Sequence, residues 1–482
     1  MLNGHLPHLA AAAAVHVALR SQATSLQAEE KQRIMHERTE TRVEWLESRL
    51  SSFAQAAAAS LGVPPATQPL HVASSDTCTV AGRVVGDSDA SAAGRLNANS
   101  ILLEGFQQHS AGAHVRLELQ HLPHYSIFPG QCVLVRGSNP SGFCLVADAM
   151  VTGVPLSPPD AACPLPDGGT IIIAAGPFTC AGDMLYEPLT ELLAYCERTQ
   201  PVLVVLCGPF VDVEHPLCSA GAIDTTFDEL FQSKVAQPLE QFMGSNAGVK
   251  VVLQPAGGRE AAHTPVFPTP PLSPPVAPPA QLVCAANPDV VMMHPSCGSS
   301  LQLAACSADV LKALSSGEVC APPLSGSHGF EHDRLARLCG HMLGQQCFFP
   351  LFPAPQGTCM DATHAIAGDL AIKQAPHLLL LPSDLAPFAR AVATGVTGSQ
   401  SNSAMSVDEG DQTGTGHATW FDATSNCAAK TSATTHDTVC VNPGRLARGH
   451  LGGTFAVVTV HPQHANGAAP FSTRVRVDIV RV

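Results

Sequence analysis

"VVLCGPFVD", residues 204 to 212, is the stretch on which the reading of this chain turns. An apolar, β-branched run (Val204, Val205, Leu206) stops abruptly at Gly208, as a buried strand does when it delivers a ligand to its carboxyl edge. Set against the G-D-x-x-D step of a metal-dependent phosphoesterase, Gly208 and Asp212 fall into place. The metal-bridging carboxylate, however, falls at Pro209, which can bind nothing.

The same rhythm of strand, loop and helix runs outward from this point. "TIIIAAGPF" (170–178) and "YEPLTELLAYCERTQ" (186–200) precede it, and "GVKVVLQP" (248–255), "HLLLLPSD" (377–384), "TVCVNPG" (438–444) and "GTFAVVTV" (453–460) follow. Continuous apolar strands alternating with helices predict an α/β layer architecture with buried strands. A dinuclear phosphoesterase needs oxygen and imidazole ligands clustered at the ends of such strands, recorded as D-x-H, G-D-x-x-D, G-N-H and G-H-x-H. The chain contains none of the four. The first strand ends in "AAGPF" without Asp or His, the third offers only His263, and the late strand ends in Pro382 and Ser383. Asp212 beside a Gly-Pro turn reads as a cap for backbone N–H groups. Gly340-His341 and Gly449-His450 each lack a second His, and neither a G-K-[ST] phosphate loop nor a G-x-S-x-G nucleophile turn is present. No catalytic, cofactor-binding or metal-binding residue is therefore expected. A framework kept whole while its ligands become Pro, Ala and Ser is that of a retired enzyme serving as a docking surface.

Ahead of this domain the pattern changes. Residues 22–60 read as one helix with Val43, Leu46, Leu50 and Phe53 on a single face, ended by Pro64 and Pro65. From 68 to 158 come short alternating runs, "CTVAGRVVG", "SILLEG", "HVRLELQHL", "QCVLVRG" and "CLVADAMVTG". Five period-2 strands with glycine-containing turns predict a small barrel of the oligonucleotide-binding type. The expected division is a helical segment (1–67), the barrel (68–158), a linker (159–169) and the α/β domain (170–482). Two insertions interrupt the last, a proline-rich one at 264–280 and a low-complexity one at 394–437, read as a disordered loop. Thr269 and Ser273 in the first are each followed by Pro, which makes them candidate sites for a proline-directed kinase. "CFFPLFP" (347–353) packs Phe348, Phe349, Leu351 and Phe352 between prolines, a candidate partner-contact strip or, equally, core.

Composition narrows the function classes. The 482 residues carry a net charge of −14 with 25 basic residues, six of them Lys, which argues against gripping nucleic-acid phosphates through the overall field. The barrel segment holds four Arg, no Lys and six acidic residues, the wrong balance for a single-strand DNA-binding protein. Seventeen cysteines without a C-x-x-C pair read as buried free thiols in a reducing compartment. The start, "LAAAAAVHVALR", is too short to span a membrane and reads as a frayed helix.

Several blocks together carry a resemblance. "IIIAAGPFTCAGDMLYEPLTELL", "VVLCGPFVD", "HDRLARLCGHMLGQQCFFPLFPAP" and "VCVNPGRLARGHLGGTFAVV" resemble the B-subunit family of DNA polymerase α, as do "ILLEGFQQHSAGAHVRLEL", "YSIFPGQCVLV" and "GVPLSPP" from the barrel. The resemblance runs from about residue 35 to 482 apart from the two insertions. It implies an oligonucleotide-binding-type barrel packed on an inactivated calcineurin-like phosphoesterase domain, preceded by an N-terminal helix. It also implies a non-catalytic member of the nuclear polymerase α–primase complex. Such a protein clasps the zinc-bearing carboxyl-terminal domain of the catalytic subunit, reaches primase indirectly, meets DNA only through the complex and supports initiation of replication. The family carries a globular amino-terminal domain and a tether ahead of the helix, where 34 residues stand before residue 35 here. The competing readings are the equivalent accessory protein of another replicative polymerase, an active metallophosphoesterase, and a single-strand-binding barrel.

Overall fold

The computed structural model describes residues 1–7, 17–21, 34–63, 69–87, 96–159, 165–273, 281–295, 300–323, 332–394, 397–400, 436–463 and 470–482. The helix runs from Thr39 to Leu61, and residues 22–33, expected to extend it, lie outside the described residues. Its buried face is Trp45, Leu46, Leu50, Phe53, Ala54, Ala57, Ala58 and Leu61. Val43, expected on that face, is exposed: it is in line with Leu50 and Leu61 but stands in the second turn, ahead of Trp45, where the buried part of the helix begins. Gly62, in the left-handed region at φ 65°, stops the helix by returning its N–H to the carbonyls of Ala58 and Ala59.

Five strands close the barrel: Ser74–Gly86, Ile101–Glu104, His114–Glu118, Cys132–Asn139 and Cys144–Gly153. The first pairs antiparallel with the second and fourth, the second with the third, and the fourth with the fifth. A parallel pairing of the fifth with the third completes the circle. Val80, Val84, Ile101, Leu103, Val115, Leu117, Val133, Val135 and Leu145 fill the interior, as the period-2 alternation requires.

The rest of the chain forms two six-stranded sheets. One has the order Leu282–Cys284, Lys250–Gln254, Leu203–Cys207, Gly169–Ala175, Thr454–Val460, Val475–Arg481; its first four strands are parallel and the last two are joined to them antiparallel. The other has the order Val17–Ser21, Asp289–Pro295, Leu301–Ala305, Leu378–Leu380, Asp437–Asn442, Phe388–Ala393. Ile171, Ile173, Val205 and Cys207 of the first sheet share a core with Val291, Met293, Leu303, Leu380, Val439 and Val441 of the second. The opposite face of the first sheet (Ile172, Val204, Leu206, Val251) packs on helices Glu187–Thr199 and Gln237–Ser245. That of the second (Ala304, Leu379, Leu381, Cys440) packs on helices Val310–Gly317 and Arg334–Gly344. Burial on both faces explains why these strands read as unbroken apolar runs.

Three expectations are corrected. Residues 17–21 form an edge strand of the second sheet rather than part of a frayed helix, with Leu19 set against the core. The proline-rich stretch is pinned through its described part: Val266, Phe267 and Leu272 are buried, and Thr269 exchanges backbone hydrogen bonds with Asn287. Its remainder, 274–280, lies outside the described residues. In the second insertion, 397–400 pair with the barrel strand Cys144–Gly153, while 401–435 lie outside the described residues. Among the described residues, no helix is long and apolar enough to cross a membrane, and all cysteines are free thiols.

Barrel and sandwich share one interior. Trp45 and Leu46 of the helix and Phe128 of the barrel join Leu338, Met342, Phe348, Phe349 and Leu351 in a single buried cluster. Strand Tyr125–Ile127 pairs antiparallel with Val319–Ala321. Phe348, Phe349 and Leu351 are therefore core, the second of the two readings open to them, and do not offer a partner-contact strip. Phe352, partly buried, donates its N–H to Pro129 O at 3.1 Å and lies under the Arg83 guanidinium. Gly130, at φ 87°, permits this approach: a Cβ there would lie 2.2 Å from Phe352 N.

Candidate functional site

The carboxyl ends of the parallel strands meet where the sequence predicts a lost catalytic edge. The turn after Leu203–Cys207 runs through Gly208 and Pro209 to Asp212, and the strand Lys250–Gln254 leads into the loop that carries Arg259 and Glu260. Asp212, 7% exposed, does not face an open site. Its carboxylate is held by Arg259, with Nη2 at 2.5 Å and Nε at 3.3 Å, and also accepts the N–H of Glu214 at 3.1 Å. The expected backbone cap is present, together with an ion pair that the sequence reading did not foresee.

Glu260, 3% exposed, occupies the space beside the Gly-Pro turn. Its carboxylate accepts the N–H of Phe210 at 2.9 Å and of Val211 at 2.9 Å. Burial pushes its pKa up to about 7, against the pull of those N–H donors. A Cβ at residue 208 would fall 2.5 Å from Glu260 Oε2 and 2.6 Å from Ala256 N, so the turn needs Gly208 for close approach. Tyr186 closes the other side, its hydroxyl donating to Phe210 O at 2.9 Å. The space beside the Gly-Pro turn is thus taken by a glutamate whose oxygens are engaged by backbone.

The remaining strand ends are clamps as well. Ser383, in place of an imidazole, donates its hydroxyl to Asp309 at 2.6 Å and its N–H to Asn442 Oδ1 at 3.1 Å. Asn287 Oδ1 receives the N–H of Ser307. His263 contacts Pro270 O at 2.7 Å. His341 belongs to the barrel boundary instead, where its Nε2 approaches Ser126 Oγ at 2.9 Å and Glu318 at 3.2 Å. Among the described residues no group of three or more His, Cys, Asp or Glu converges as a metal site.

Of the two candidate phosphosites, Thr269 is fully buried and its hydroxyl donates to Val266 O at 2.6 Å, so a kinase cannot reach it in the folded chain. Ser273 is exposed. Sequence reasoning missed Arg259 and Glu260, which stand in "GGREAAH" with nothing local to mark them. It also missed Glu318 and Gln345, which join the sandwich to the barrel. The signal available for Glu260 was its place just past the end of the third strand, where His263 is the more obvious candidate for a ligand.

Comparison with known proteins bears on both halves. The family model for the alpha/epsilon B subunit of DNA polymerase matches residues 171–390, and that for the OB domain of the DNA polymerase alpha B subunit matches 43–153. The DNA polymerase alpha B subunit of Mus musculus is 27% identical over 86% of this chain and 60% of its own length. That of Schizosaccharomyces pombe is 32% identical over 66% of this chain and 56% of its own, and that of Drosophila melanogaster 29% over 76% and 49%. The chain spans about half to three fifths of the length of these curated relatives. Two adjoining family matches, over the barrel and over the sandwich, lead to one assignment: the chain belongs to the B-subunit family of DNA polymerase alpha.

Proposed function

We propose that the chain is a non-catalytic accessory subunit of the polymerase α–primase complex, in which an inactivated calcineurin-like phosphoesterase fold and an oligonucleotide-binding-type barrel form one scaffold. The observation that carries the reading is the state of the strand edge: Pro209 replaces the bridging ligand, Asp212 is paired with Arg259, and Glu260 is engaged by backbone N–H groups. No carboxylate at that turn is left to hold a hydrolytic metal. The partner is the zinc-bearing carboxyl-terminal domain of the catalytic subunit, with primase reached indirectly and DNA only through the complex. The site of action is the nucleus, and the role is support of the initiation of replication. The family match over the barrel, which is described for polymerase alpha alone, favours this over the equivalent protein of another replicative polymerase.

Coexpression with the carboxyl-terminal region of the catalytic subunit, followed by gel filtration at moderate and high salt, tests the proposal. The pair is expected to co-elute at both, because screening weakens exposed ion pairs far more than apolar contact. Two folded chains that separate at every salt concentration would overturn it.

A further inference from the structure

A cleft of about 750 Å³ opens beside the retired edge, walled by Arg259, Lys312, Asp384, Arg445, Arg448 and Arg481 among others. That charge is out of keeping with a chain of net −14. The cations do not all have carboxylates to answer them. Arg259 is paired with Asp212 and, at 3.2 Å, Glu214. Lys312 Nζ and Arg445 Nε hold opposite oxygens of the one Asp384 carboxylate, at 2.8 and 3.0 Å. Asp309 lies 3.8 Å from Arg445, but its oxygens already accept the Ser383 hydroxyl and the Asp384 N–H. Arg448 and Arg481 are exposed, and neither guanidinium has an ion-pair or hydrogen-bond partner among the described residues. In a chain with 39 acidic residues, two arginines beside one cleft are not unpaired for want of carboxylates.

The elements that present them are firmly placed. Arg448 stands in the small hairpin Ala447–Arg448 with Leu451–Gly452. Arg481 ends the last strand, where Val482 donates its N–H to Gly453 O at 3.1 Å. Arg445 is held by the Asp384 pair, and its carbonyl receives the N–H of Thr454 at 2.8 Å. Guanidinium forks carried on fixed backbone suit an anion that can engage more than one of them at once, which a phosphoryl dianion does and a lone carboxylate does less well. The cleft also lies outside the carboxyl ends of parallel strands, where α/β sheets characteristically receive ligands.

We propose that this cleft is an oxyanion site for a phosphoryl group, bound by Arg448 and Arg481, with Arg445 and Lys312 set behind them by Asp384. Binding leaves the phosphoryl group unchanged. The proposal goes beyond the accessory role and does not depend on it, because loss of anion binding would leave co-elution with the catalytic subunit untouched.

The phosphoryl group could arrive free or on a phosphorylated side chain, and two titrations distinguish the sources. The full chain is titrated calorimetrically with pyrophosphate and, separately, with phosphoserine, at constant ionic strength maintained with chloride. Saturable binding of at least one is expected; pyrophosphate alone identifies a free anion as the ligand, and phosphoserine binding a phosphorylated side chain. Arg448→Ala combined with Arg481→Ala should weaken binding at least tenfold, and Arg448→Glu alone should do the same. Arg116→Ala, at an exposed arginine of the barrel strand His114–Glu118, should leave it unchanged. Both cleft arginines are exposed and unpaired, so circular dichroism and melting temperature of the variants should match the parent. No saturable binding of either probe, undiminished binding in the double variant, or an equal loss in Arg116→Ala would overturn the proposal.

Discussion

Gln345 joins the sandwich to the barrel by pairing with both backbone groups of Cys132: its Oε1 accepts the Cys132 N–H at 2.9 Å, and its Nε2 donates to Cys132 O at 2.8 Å. The same nitrogen donates to Thr152 O at 2.8 Å. A side chain at a helix end thus serves as the missing neighbour of two barrel strands.

Replacing it should be costly out of proportion to its size. Gln345→Ala removes the side-chain partner of both buried backbone groups of Cys132 and should destabilise the chain by about 2–4 kcal/mol. Urea denaturation followed by circular dichroism measures this. A loss below about 0.5 kcal/mol, the range of ordinary surface substitutions, would show that the bridge contributes nothing.

Glu260 gives a pH signature. Its folded pKa, near 7, lies above that of an unfolded glutamate, so the native state binds more protons between roughly pH 4.3 and 7. Its contribution is full below the unfolded pKa and falls away as pH rises through the folded one. The stability of Glu260→Gln relative to the parent should therefore improve between pH 5 and pH 8, by about 3 kcal/mol at most. A difference that does not vary with pH would refute the assignment.

Glu318 has the opposite sign. Burial alone would raise its pKa, but hydrogen bonds from His341, Arg337 and Ser126 outweigh it and hold the carboxyl well below the usual range. Its contribution is full above about pH 4.3 and is lost as pH falls through the folded pKa. Glu318→Ala should cost about 3–5 kcal/mol at neutral pH, because Arg337 and His341 lose the buried carboxylate that faces them. The acid-denaturation midpoint and a neutral-pH melt check the two halves of this expectation.

The strand edge itself should be inert. Purified chain is expected to carry no stoichiometric Mn, Fe or Zn and to leave p-nitrophenyl phosphate and its diester uncleaved, since Asp212 and Glu260 are already engaged. Arg259→Ala, which uncovers Asp212, should restore neither. Elemental analysis returning two metal ions per chain would reverse the reading.

In the proline-rich stretch the two hydroxyls should separate. A proline-directed kinase acting on folded chain should modify Ser273 and spare Thr269; because Thr264 and Ser157 are also exposed and followed by Pro, peptide mapping rather than intact mass reads this out, with Ser273→Ala removing its own phosphate and Thr269→Ala removing none. Modification of Thr269 in the native chain would mean that the Val266–Thr269 turn opens.

Six of the twelve sheet strands were legible because burial on two faces leaves an unbroken apolar signature, as in Ile171–Ile173 and Val204–Leu206, whereas others, such as Asp289–Pro295, Leu301–Ala305 and Val475–Arg481, were not read. The barrel was legible through alternation, as at Val115 and Leu117. What sequence left open depended on contacts between distant segments. Arg259 finds Asp212 across 47 positions, and nothing near either residue announces the other. Phe348 and Phe349 show that an apolar run between prolines has the same composition whether it meets the chain's own barrel or a partner. Val266, Phe267 and Leu272 were hidden among prolines that exclude a core strand but do not prevent a pinned, extended strap.

The order of strands in the first sheet also bears on how the chain is made. Gly169–Ala175 gains one neighbour, Leu203–Cys207, almost as soon as it is synthesised, but its other neighbour, Thr454–Val460, follows only roughly 280 residues later. At typical rates of about 5–20 residues per second, the open edge of a strand carrying Ile171, Ile172 and Ile173 faces the cell for tens of seconds. An unpaired apolar edge of that kind templates wrong associations. The stage of biogenesis most in need of chaperone cover is therefore the interval between release of the third parallel strand from the ribosome and arrival of the penultimate one.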